Sequence, residues 1–400
     1  MNGTKLLLKQ VGVPKNFCIL ASGADMKSAF SFWKNNLILI SGDYGDLSEP
    51  DNFKNYLAAI RKTARQNKFC PDIVAVDLHP AYFSRRVRDL FPSAHCFEVQ
   101  HHHAHVATAL ALHPEEHRIL GISFDGTGYG LDGNVWGGEF LLVSPSGMAR
   151  PGHLEYLRMP GGEAAVRQPW RMAFSLLYSH LKDTVFSINV PCMKLRHESD
   201  YALLKTLMDK NINAPLTSSC GRLFDAVSSL LGIVHIATSE AEAAIRLQQE
   251  AEKSDDSKFY RFDLSEEHGV FIAGYGSFLE CILGDIKRKV SVQDIARRFH
   301  NSIALLVAEV AERIRGRDGP DAVVLTGGVF QNKLLCTLAE KALKEKLPQE
   351  IWGKINKILV LFGQNVCLPR RPRCHVCPIF PFCKREGVEE PLSSQEGTGE

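Results

Sequence analysis

The chain is organised around the stretch from Val99 to Phe140, VQHHHAHVATALALHPEEHRILGISFDGTGYGLDGNVWGGEF. An alanine-rich helical pattern begins at its four histidines, directly after the strand-like run His95–Val99. The apolar run Ile119–Phe124 predicts a second strand, which leads into Asp125 and a series of glycines. A turn then leads into a third predicted strand, Trp136–Val143. Helices that alternate with strands indicate an α/β protein whose sheet contains parallel members.

Two histidines of this stretch have the spacing of metal ligands. His101 and His105 are four residues apart, so on a helix they project from one face, one turn apart. This spacing suits two imidazoles on one divalent metal ion, and Asp125 at a strand end can supply a third ligand. The alternative is a solvated helix start followed by a simple hairpin loop. The acidic, glycine-rich segment close behind the histidine pair favours the metal site.

Two glycine-rich turns are candidates for binding a nucleotide. Glycines let a phosphate approach the backbone, and the first such segment directly follows Asp125. The second follows the predicted buried strand Asp321–Leu325, where two glycines precede a helix whose N-terminus could face a phosphate. Together they predict a cleft with one phosphate-facing turn on each side. The candidate nucleotide-binding residues are Gly126, Thr127, Gly128, Tyr129, Asp132, Gly133, Gly327, Gly328 and Asn332.

The candidate catalytic residues, Lys27 and His79, follow predicted strands nearer the N-terminus. These strands are Phe17–Ala21 and Ile73–Val76, and ligands of parallel sheets collect at the carboxyl ends of strands. Lys27 could contact a phosphate, although a solvated lysine is equally plausible. His79 could be a ligand or a catalytic group, although a capped turn is the alternative. The small-residue loop Ser218–Arg222 precedes an apolar helix and could hold an anion there.

Three longer segments have helical periodicity. Asp51–Gln66 is amphipathic, and Arg167–Leu181 follows a glycine-rich loop. Val290–Arg315 alternates apolar and charged faces, and it carries His300, which we interpret as a packed core residue. These segments support an α/β architecture.

The overall composition is that of a soluble globular protein. The 400 residues are 45% apolar and 23% charged, and the net charge of +2 argues against a surface that coats nucleic acid. No stretch approaches the ~18 consecutive apolar residues of a membrane span, and the first ten residues lack a signal-peptide core. We therefore predict a cytoplasmic protein whose eleven cysteines serve as thiols and metal ligands.

Four of the cysteines form a separate cluster near the C-terminus. Cys367, Cys374, Cys377 and Cys383 are separated by six, two and five residues. Four thiolates suit either a tetrahedral zinc ion or an iron–sulfur cluster, although zinc sites usually pair two short spacings across a longer gap. From Lys354 to Arg385 the chain carries seven basic and no acidic residues. This charge predicts weak, salt-sensitive contact with nucleic acid.

Most of the chain resembles the C-terminal transferase domain of the hydrogenase-maturation carbamoyltransferases, the HypF family. The resemblance runs from about residue 16 to 335 and rests on VQHHHAH, DGTGYGLDGNVWGGEF, PGGEAAVRQPWRMAFSLL, APLTSSCGRLFDAVSSLLGI and LTGGVFQN, in that order. It implies an α/β, two-lobed fold of the actin, hexokinase and Hsp70-like superfamily. The first lobe would span residues 16–145 and the second residues 146–345, truncated at its end.

The resemblance also implies a reaction. The family passes a carbamoyl group from carbamoyl-adenylate, which is made from ATP, to the C-terminal cysteine of a HypE-type acceptor protein. His101, His105 and Asp125 would hold a divalent metal ion, iron or zinc. In the family an Asp-Gly-Gly loop supplies a fourth protein ligand, whereas this chain has no aspartate after Asn332.

Residues 346–388 resemble the C-terminal end of endonuclease III-type DNA glycosylases, in which the four matching cysteines hold a 4Fe–4S cluster. This resemblance implies a small helical, cysteine-rich tail. The glycosylase's catalytic residues have no counterpart upstream. Segment 1–15 is unassigned, and we expect 389–400 to be a disordered acidic end. Three functions follow: a HypF-like carbamoyltransferase, which we favour, a DNA-binding or base-excision-repair protein, and an inactive chimeric fusion.

Overall fold

The computed structural model describes residues 4–7, 17–112 and 116–348. They form two compact units, which divide between Glu98 and Val99. The four cysteines of the predicted iron–sulfur tail and the predicted acidic end lie outside the described residues.

The first unit is a mixed sheet with helical segments. Its amphipathic helix begins at a proline, whose fixed φ suits the first helical turn, and ends where Lys68 takes a left-handed conformation. The elements of this unit are β1 (Thr4–Leu7), β2 (Cys18–Ala21), β3 (Ser31–Lys34), β4 (Leu37–Ile40), α1 (Pro50–Asn67), β5 (Ile73–Asp77), a 3-10 helix (Phe83–Leu90) and β6 (His95–Val99).

The sheet of the first unit has the order β1-β4-β3-β2-β5-β6. Strands β2 and β5 pair in parallel, while β2, β3 and β4 form an antiparallel meander. Apolar residues of β2, β3 and β5 pack with the buried face of α1, where Tyr56 and Ile60 are fully buried. Burial of each such side chain contributes roughly 1.5–3 kcal/mol.

The second unit carries the stretch around which the chain is organised. Its strands are β7 (Ile119–Tyr129), β8 (Val135–Ser144), β9 (Gly147–Leu154), β10 (Leu157–Arg158), β11 (Leu216–Thr217), β12 (Asp263–Glu267), β13 (Val270–Gly274) and β14 (Ala322–Thr326). Its α-helices are α2 (His101–Leu112), α3 (Ala164–Arg167), α4 (Pro169–Leu181), α5 (Glu198–Asp209), α6 (Cys220–Leu230), α7 (Glu242–Ala251), α8 (Gly276–Lys287), α9 (Val292–Asp318) and α10 (Lys333–Lys346).

Three strands of the second unit position the candidate site. β7 pairs with β14 in parallel, with Ser123 opposite Thr326, and with β8 in an antiparallel hairpin. Helix α2 packs on these strands through Val106 and Ala109, which belong to the same buried cluster as residues of β7, β8 and β14. The approach of α2 is close, because a Cβ atom on Gly121 of β7 would lie 2.1 Å from Cγ2 of Val106.

The predicted α/β, two-lobed fold is confirmed, whereas the predicted lobe boundary stays a prediction. The sequence places a lobe boundary at residue 145, which falls between β8 and β9. These two strands form one antiparallel hairpin, so the compact unit continues across that position. Among the described helices, none combines the length and the apolar character needed to cross a bilayer.

Candidate functional site

Helix α2 is fixed at its start by a glutamine. The side-chain oxygen of Gln100 accepts the backbone N–H of His103 at 2.8 Å, as N-cap side chains do. The amide nitrogen of Gln100 donates to the carbonyl oxygen of Tyr129 on β7 at 3.1 Å. Gln100 therefore caps the helix and also ties it to the strand. His101 and His105 are the two histidines that then face Asp125, one helical turn apart.

His101, His105 and Asp125 converge in space. The Nε2 atoms of the histidines are 3.2 Å apart, and Oδ2 of Asp125 lies 3.9 Å from His101 and 3.3 Å from His105. Ligand atoms bound at about 2.1 Å in a tetrahedral arrangement are about 3.4 Å apart, so the three residues fit one metal ion. Among the described residues, this is the one group of three or more potential ligands. All three side chains keep some exposure to solvent, so an ion can reach them.

The carboxyl group of Asp125 is ionised in the folded protein, which suits it to bind a cation. Burial opposes its ionisation, but the hydrogen bond and charge of His105 outweigh burial and, with Gly126 and His101, lower its pKa to about 2. The backbone N–H of Gly126 donates to Oδ1 at 2.8 Å. One carboxylate oxygen is thus held by the backbone, while the other faces the imidazoles. An ionised carboxylate does not have to lose a proton to bind a metal ion.

The glycine pair after β14 lies directly beside this carboxylate. The carboxyl ends of the parallel strands β7 and β14 share one edge of the sheet, which is where ligands collect. A Cβ atom on Gly327, whose φ is +94°, would lie 2.2 Å from the carbonyl oxygen of Phe124. A Cβ atom on Gly328 would lie 3.0 Å from Oδ1 of Asp125. Glycine is therefore required where this turn approaches the candidate ligand.

The first glycine-rich segment is a strand with a bulge, where the sequence predicts a loop. β7 continues to Tyr129, and its pairing with β8 is irregular in this segment. The space beside Gly128 is filled, because a Cβ atom there would lie 2.3 Å from the ring of His102. Gly126 differs, since the one described atom within 4 Å of its Cβ position is Nη2 of Arg222, at 3.9 Å. Of these two glycines, Gly126 has the backbone that a ligand can approach.

Asp132 and Gly133 form the turn between β7 and β8. Asp132 accepts hydrogen bonds from the N–H of Asn134 at 3.1 Å and from the indole of Trp136 at 2.9 Å. Gly133 has a φ of +78°, which favours glycine. These contacts stabilise the hairpin. Nucleotide contact by either residue stays a prediction, as does contact by Thr127 or Tyr129.

A buried charge network that the sequence did not indicate supports this hairpin. Arg150 on β9 lies 3.9 Å from the ring centroid of Trp136 and donates to Oε2 of Glu139 at 2.6 Å and to Tyr156 at 2.9 Å. Glu139 is fully buried and also accepts from two backbone N–H groups and from Ser218. Burial opposes its ionisation, but Arg150 outweighs burial and lowers the pKa of Glu139. A single arginine has no sequence pattern that would reveal this role.

Asn332 is oriented by a buried histidine. Its side-chain oxygen accepts the N–H of Leu335 at 2.9 Å, which caps α10. Nδ1 of His300 lies 2.8 Å from the carbonyl oxygen of Ala296, so Nδ1 donates and Nε2 accepts the amide of Asn332 at 2.9 Å. Burial lowers the pKa of His300 to about 4, which keeps its ring neutral. The predicted nucleotide contact of Asn332 stays a prediction.

Lys27 and His79 belong to the first unit, and their catalytic roles stay predictions. Lys27 has a left-handed backbone with a φ of +52°. Nδ1 of His79 lies 3.3 Å from the N–H of Ala81, and its ring stacks on Tyr82 with 4.2 Å between centroids. Burial lowers the pKa of His79. This geometry is the capped turn that the sequence offered as the alternative.

Comparison with known families assigns most of the chain to two domain families. Residues 14–111 match the HypF Kae1-like domain, and residues 121–354 match the carbamoyltransferase Kae1-like domain, second subdomain. Carbamoyltransferase HypF of Synechocystis is 32% identical over 350 residues, which are 84% of this chain and 45% of that protein. The carbamoyltransferase HypF homolog of Cupriavidus necator is 31% identical over 380 residues, 90% of this chain and 93% of that protein.

Solved structures show the same relation. A full-length HypF in its phosphate- and nucleotide-bound form is 31% identical, with a TM-score of 0.78, over 85% of this chain and 52% of that one. HypF of T. kodakarensis is 27% identical, with a TM-score of 0.73, over 85% of this chain and 46% of that one. The chain thus spans about half the length of several relatives and most of the length of the C. necator homolog.

A short similarity to another family accompanies this one. Endonuclease III-like protein 1 of Bos taurus is 60% identical over 43 residues, which are 11% of this chain and 14% of that protein. The two Kae1-like domain matches and the C. necator homolog cover far more of the sequence. The chain therefore belongs to the HypF carbamoyltransferase family.

Proposed function

We propose that the chain is a metal-assisted carbamoyltransferase that moves a carbamoyl group from carbamoyl-adenylate to the C-terminal cysteine of a HypE-type acceptor protein. The convergence of His101, His105 and Asp125 beside the glycine pair carries this proposal. In the reaction, the bond between the carbamoyl carbon and the phosphate oxygen breaks and a carbon–sulfur bond forms. AMP leaves with the bonding electrons, and the thiol gives up its proton to a base.

The residues of the second unit have separate roles in this proposal. His101, His105 and Asp125 would hold a divalent ion, iron or zinc, which when bound polarises the carbamoyl oxygen. Three protein ligands leave a coordination position for a solvent or substrate oxygen, as catalytic metal sites do. Gly126 would let the adenylate approach the backbone, since Nη2 of Arg222, at 3.9 Å, is the nearest described atom to its Cβ position outside the neighbouring residues. Gly328 would let the second turn approach Asp125.

A transfer assay tests this function. The purified chain, loaded with Fe²⁺ or Zn²⁺, is mixed with carbamoyl-adenylate and a peptide that ends in cysteine. Mass spectrometry should detect the peptide thiocarbamate. His105→Ala should abolish the product, whereas His103→Ala changes a histidine of the same helix outside the ligand group and should not. No product from the wild-type chain with either metal would refute the proposal.

Lys27 and His79 are the catalytic residues proposed for the first unit. A lysine could offset the charge of a phosphate, and an imidazole with a lowered pKa could accept the thiol proton. Lys27→Met and His79→Gln should each reduce the transfer rate. Lys62→Met, an exposed position on α1, is the control and should leave the rate unchanged. Transfer rates equal to wild type in both variants would refute these roles.

A second proposal concerns the tail. We propose that Cys367, Cys374, Cys377 and Cys383 hold a 4Fe–4S cluster, which the short similarity to endonuclease III-like proteins supports. Anaerobic reconstitution should give the broad visible absorption of such a cluster, whereas a colourless product with bound zinc would refute it. Weak nucleic-acid contact through the tail and a cytoplasmic location stay predictions. A salt-dependent binding assay with duplex DNA tests the contact.

A further inference from the structure

The N-terminus of α6 packs against the segment that follows the candidate metal ligand. Oγ of Ser219 lies 2.8 Å from the carbonyl oxygen of Asp125 and 2.7 Å from that of Gly126, and it caps α6 by accepting the N–H of Arg222 at 3.1 Å. The helix approaches so closely that a Cβ atom on Gly221 would lie 2.8 Å from Cα of Gly126. The positive end of the helix therefore lies beside Gly126 of β7.

A buried arginine on this helix turn has donors without partners. Arg222 is 7% exposed, and its Nη2 lies 2.8 Å from Oδ2 of Asp225 without the geometry of a hydrogen bond. Among the described residues, Nε and Nη1 of Arg222 have no hydrogen-bond partner. Buried donors of a charged group are almost always hydrogen-bonded in folded proteins. We therefore expect a bound ligand to supply an acceptor for this guanidinium group.

The guanidinium group faces the open side of Gly126. The Nη2 atom of Arg222 is the one described atom within 4 Å of the Gly126 Cβ position, at 3.9 Å. A ligand that lies against the Gly126 backbone would thus meet Arg222 first. A planar guanidinium with free N–H groups matches the oxygens of a phosphate in a bidentate arrangement.

Asp225 is the one carboxylate paired with Arg222 among the described residues. Burial raises the pKa of the Asp225 carboxyl group to about 6, although Arg222 opposes the rise. A fully paired arginine of the same unit offers a contrast: Arg298 is also buried, but it donates to carboxylate oxygens of Asp256 and Asp285. Arg222 has one carboxylate neighbour and two unsatisfied nitrogens, whereas Arg298 has two carboxylates.

We propose that Arg222 and the N-terminal turn of α6 bind a phosphate group at Gly126, and that this group is the phosphate of the adenylate. The identity of the ligand rests on the proposed transferase function, whereas the anion site itself does not. In the transfer reaction, Arg222 would face the phosphate oxygen that gains negative charge when its bond to the carbamoyl carbon breaks. Arg222 would thereby hold the leaving AMP beside the metal ligands and favour bond cleavage.

Calorimetric titration with AMP and with adenosine tests this assignment, because the two ligands differ only in the phosphate. The wild-type chain should bind AMP at least about tenfold more tightly than adenosine, as expected for a charge-assisted bidentate contact. Arg222→Met should lose this preference and keep the adenosine affinity. Arg222→Lys should retain only part of it. Arg298→Lys, the same change at the paired arginine, should leave it intact.

The outcomes separate this inference from the proposed function. If Arg222→Met keeps the preference for AMP, Arg222 does not bind the phosphate, although the nucleotide site stands. If the wild-type chain binds neither AMP nor adenosine, the assignment of the ligand as the adenylate is wrong. A thermal unfolding experiment with orthophosphate then tests whether Arg222 binds an anion. Phosphate should then raise the melting temperature of the wild-type chain but not of Arg222→Met, and no rise in the wild type would overturn the site. If Arg222→Met does not fold, the double variant Arg222→Met/Asp225→Asn, which removes both buried charges, is used in its place.

Discussion

Nε2 of His105 lies 3.3 Å from Oδ2 of Asp125, although one residue belongs to a helix and the other to a strand. The distance is set by the backbone, because Val106, next to His105, packs over Gly121 of β7. Gln100 ties the start of the same helix to β7 through the carbonyl oxygen of Tyr129. The candidate ligands are thus held in place by a helix and a strand that pack against each other.

Removal of one ligand should weaken metal binding markedly. His105→Ala is expected to lower the affinity for Zn²⁺ at least as much as the ~10–100-fold loss that follows when a residue supporting a ligand is removed. Competition with a chromophoric chelator measures the affinity. His103→Ala is the matched control, since it lies on the same helix outside the ligand group. Equal zinc affinity of the wild type and His105→Ala would contradict the site.

A methyl group at Gly328 should also disturb the candidate metal site, through Asp125. The Cβ atom of Gly328→Ala would lie 3.0 Å from Oδ1 of Asp125, so the carboxylate or the turn must shift. We expect lower Zn²⁺ affinity and a loss of about 1–3 kcal/mol in the free energy of unfolding, as for other overpacked positions. Gly316→Ala, in α9 with open space around its Cβ position, should instead be neutral or stabilise by about 0.5–1 kcal/mol. Similar effects of both changes would argue against the close contact.

Much of the fold could be predicted because its signals are local. The helix Asp51–Gln66 and the strands Ile73–Val76 and Trp136–Val143 differ from the observed elements by at most one residue at each end. These segments have an apolar period that matches their structure and turn residues at their ends. The spacing of His101 and His105 was likewise a local signal.

The rest depends on contacts between distant parts of the chain. The strand β7 continues through Gly126 and Gly128, and the ring of His102 fills the space beside Gly128, a contact that no local pattern reveals. No sequence pattern distinguished Arg150, whose role comes from Glu139 on the neighbouring strand. The loop Ser218–Arg222 was a candidate anion site because it precedes a helix, but the position of the Arg222 side chain beside Gly126 could not be predicted. Burial and partners, rather than residue type, distinguish them.

The buried ring of His300 should make the fold sensitive to acid. Burial lowers its folded-state pKa to about 4, below the ordinary value of 6.5, so the unfolded chain binds the proton more readily. The contribution of this residue to stability is therefore complete above pH 6.5 and is lost as the pH falls toward 4, by about 3 kcal/mol in all. Urea unfolding between pH 4 and 7 measures it. His300→Gln, which cannot protonate, should flatten this slope, and an unchanged slope would contradict the assignment.

The buried pair of Glu139 and Arg150 gives the final prediction. Glu139 is fully buried and accepts hydrogen bonds from Arg150, Ser218 and two backbone N–H groups. Glu139→Gln removes the buried carboxylate and leaves Arg150 with only the more distant Asp132, at 3.6 Å, as a counter-charge. Breaking a buried ion pair typically costs about 3–5 kcal/mol, and the lower end of this range is expected here because Asp132 remains. Urea unfolding should show a loss of that size.

The matched control for Glu139→Gln is Glu163→Gln, whose partner Arg167 is also on the second unit but exposed, with side chains 77% and 73% accessible. The exposed pair should contribute at most about 0.5 kcal/mol, since solvent screens it. The double variant Glu139→Gln/Arg150→Met should be less destabilised than Glu139→Gln alone, because no unpaired charge remains buried. If the two single changes cost the same, Glu139 is not ionised in the fold, and the network would not hold the hairpin that carries Asp125.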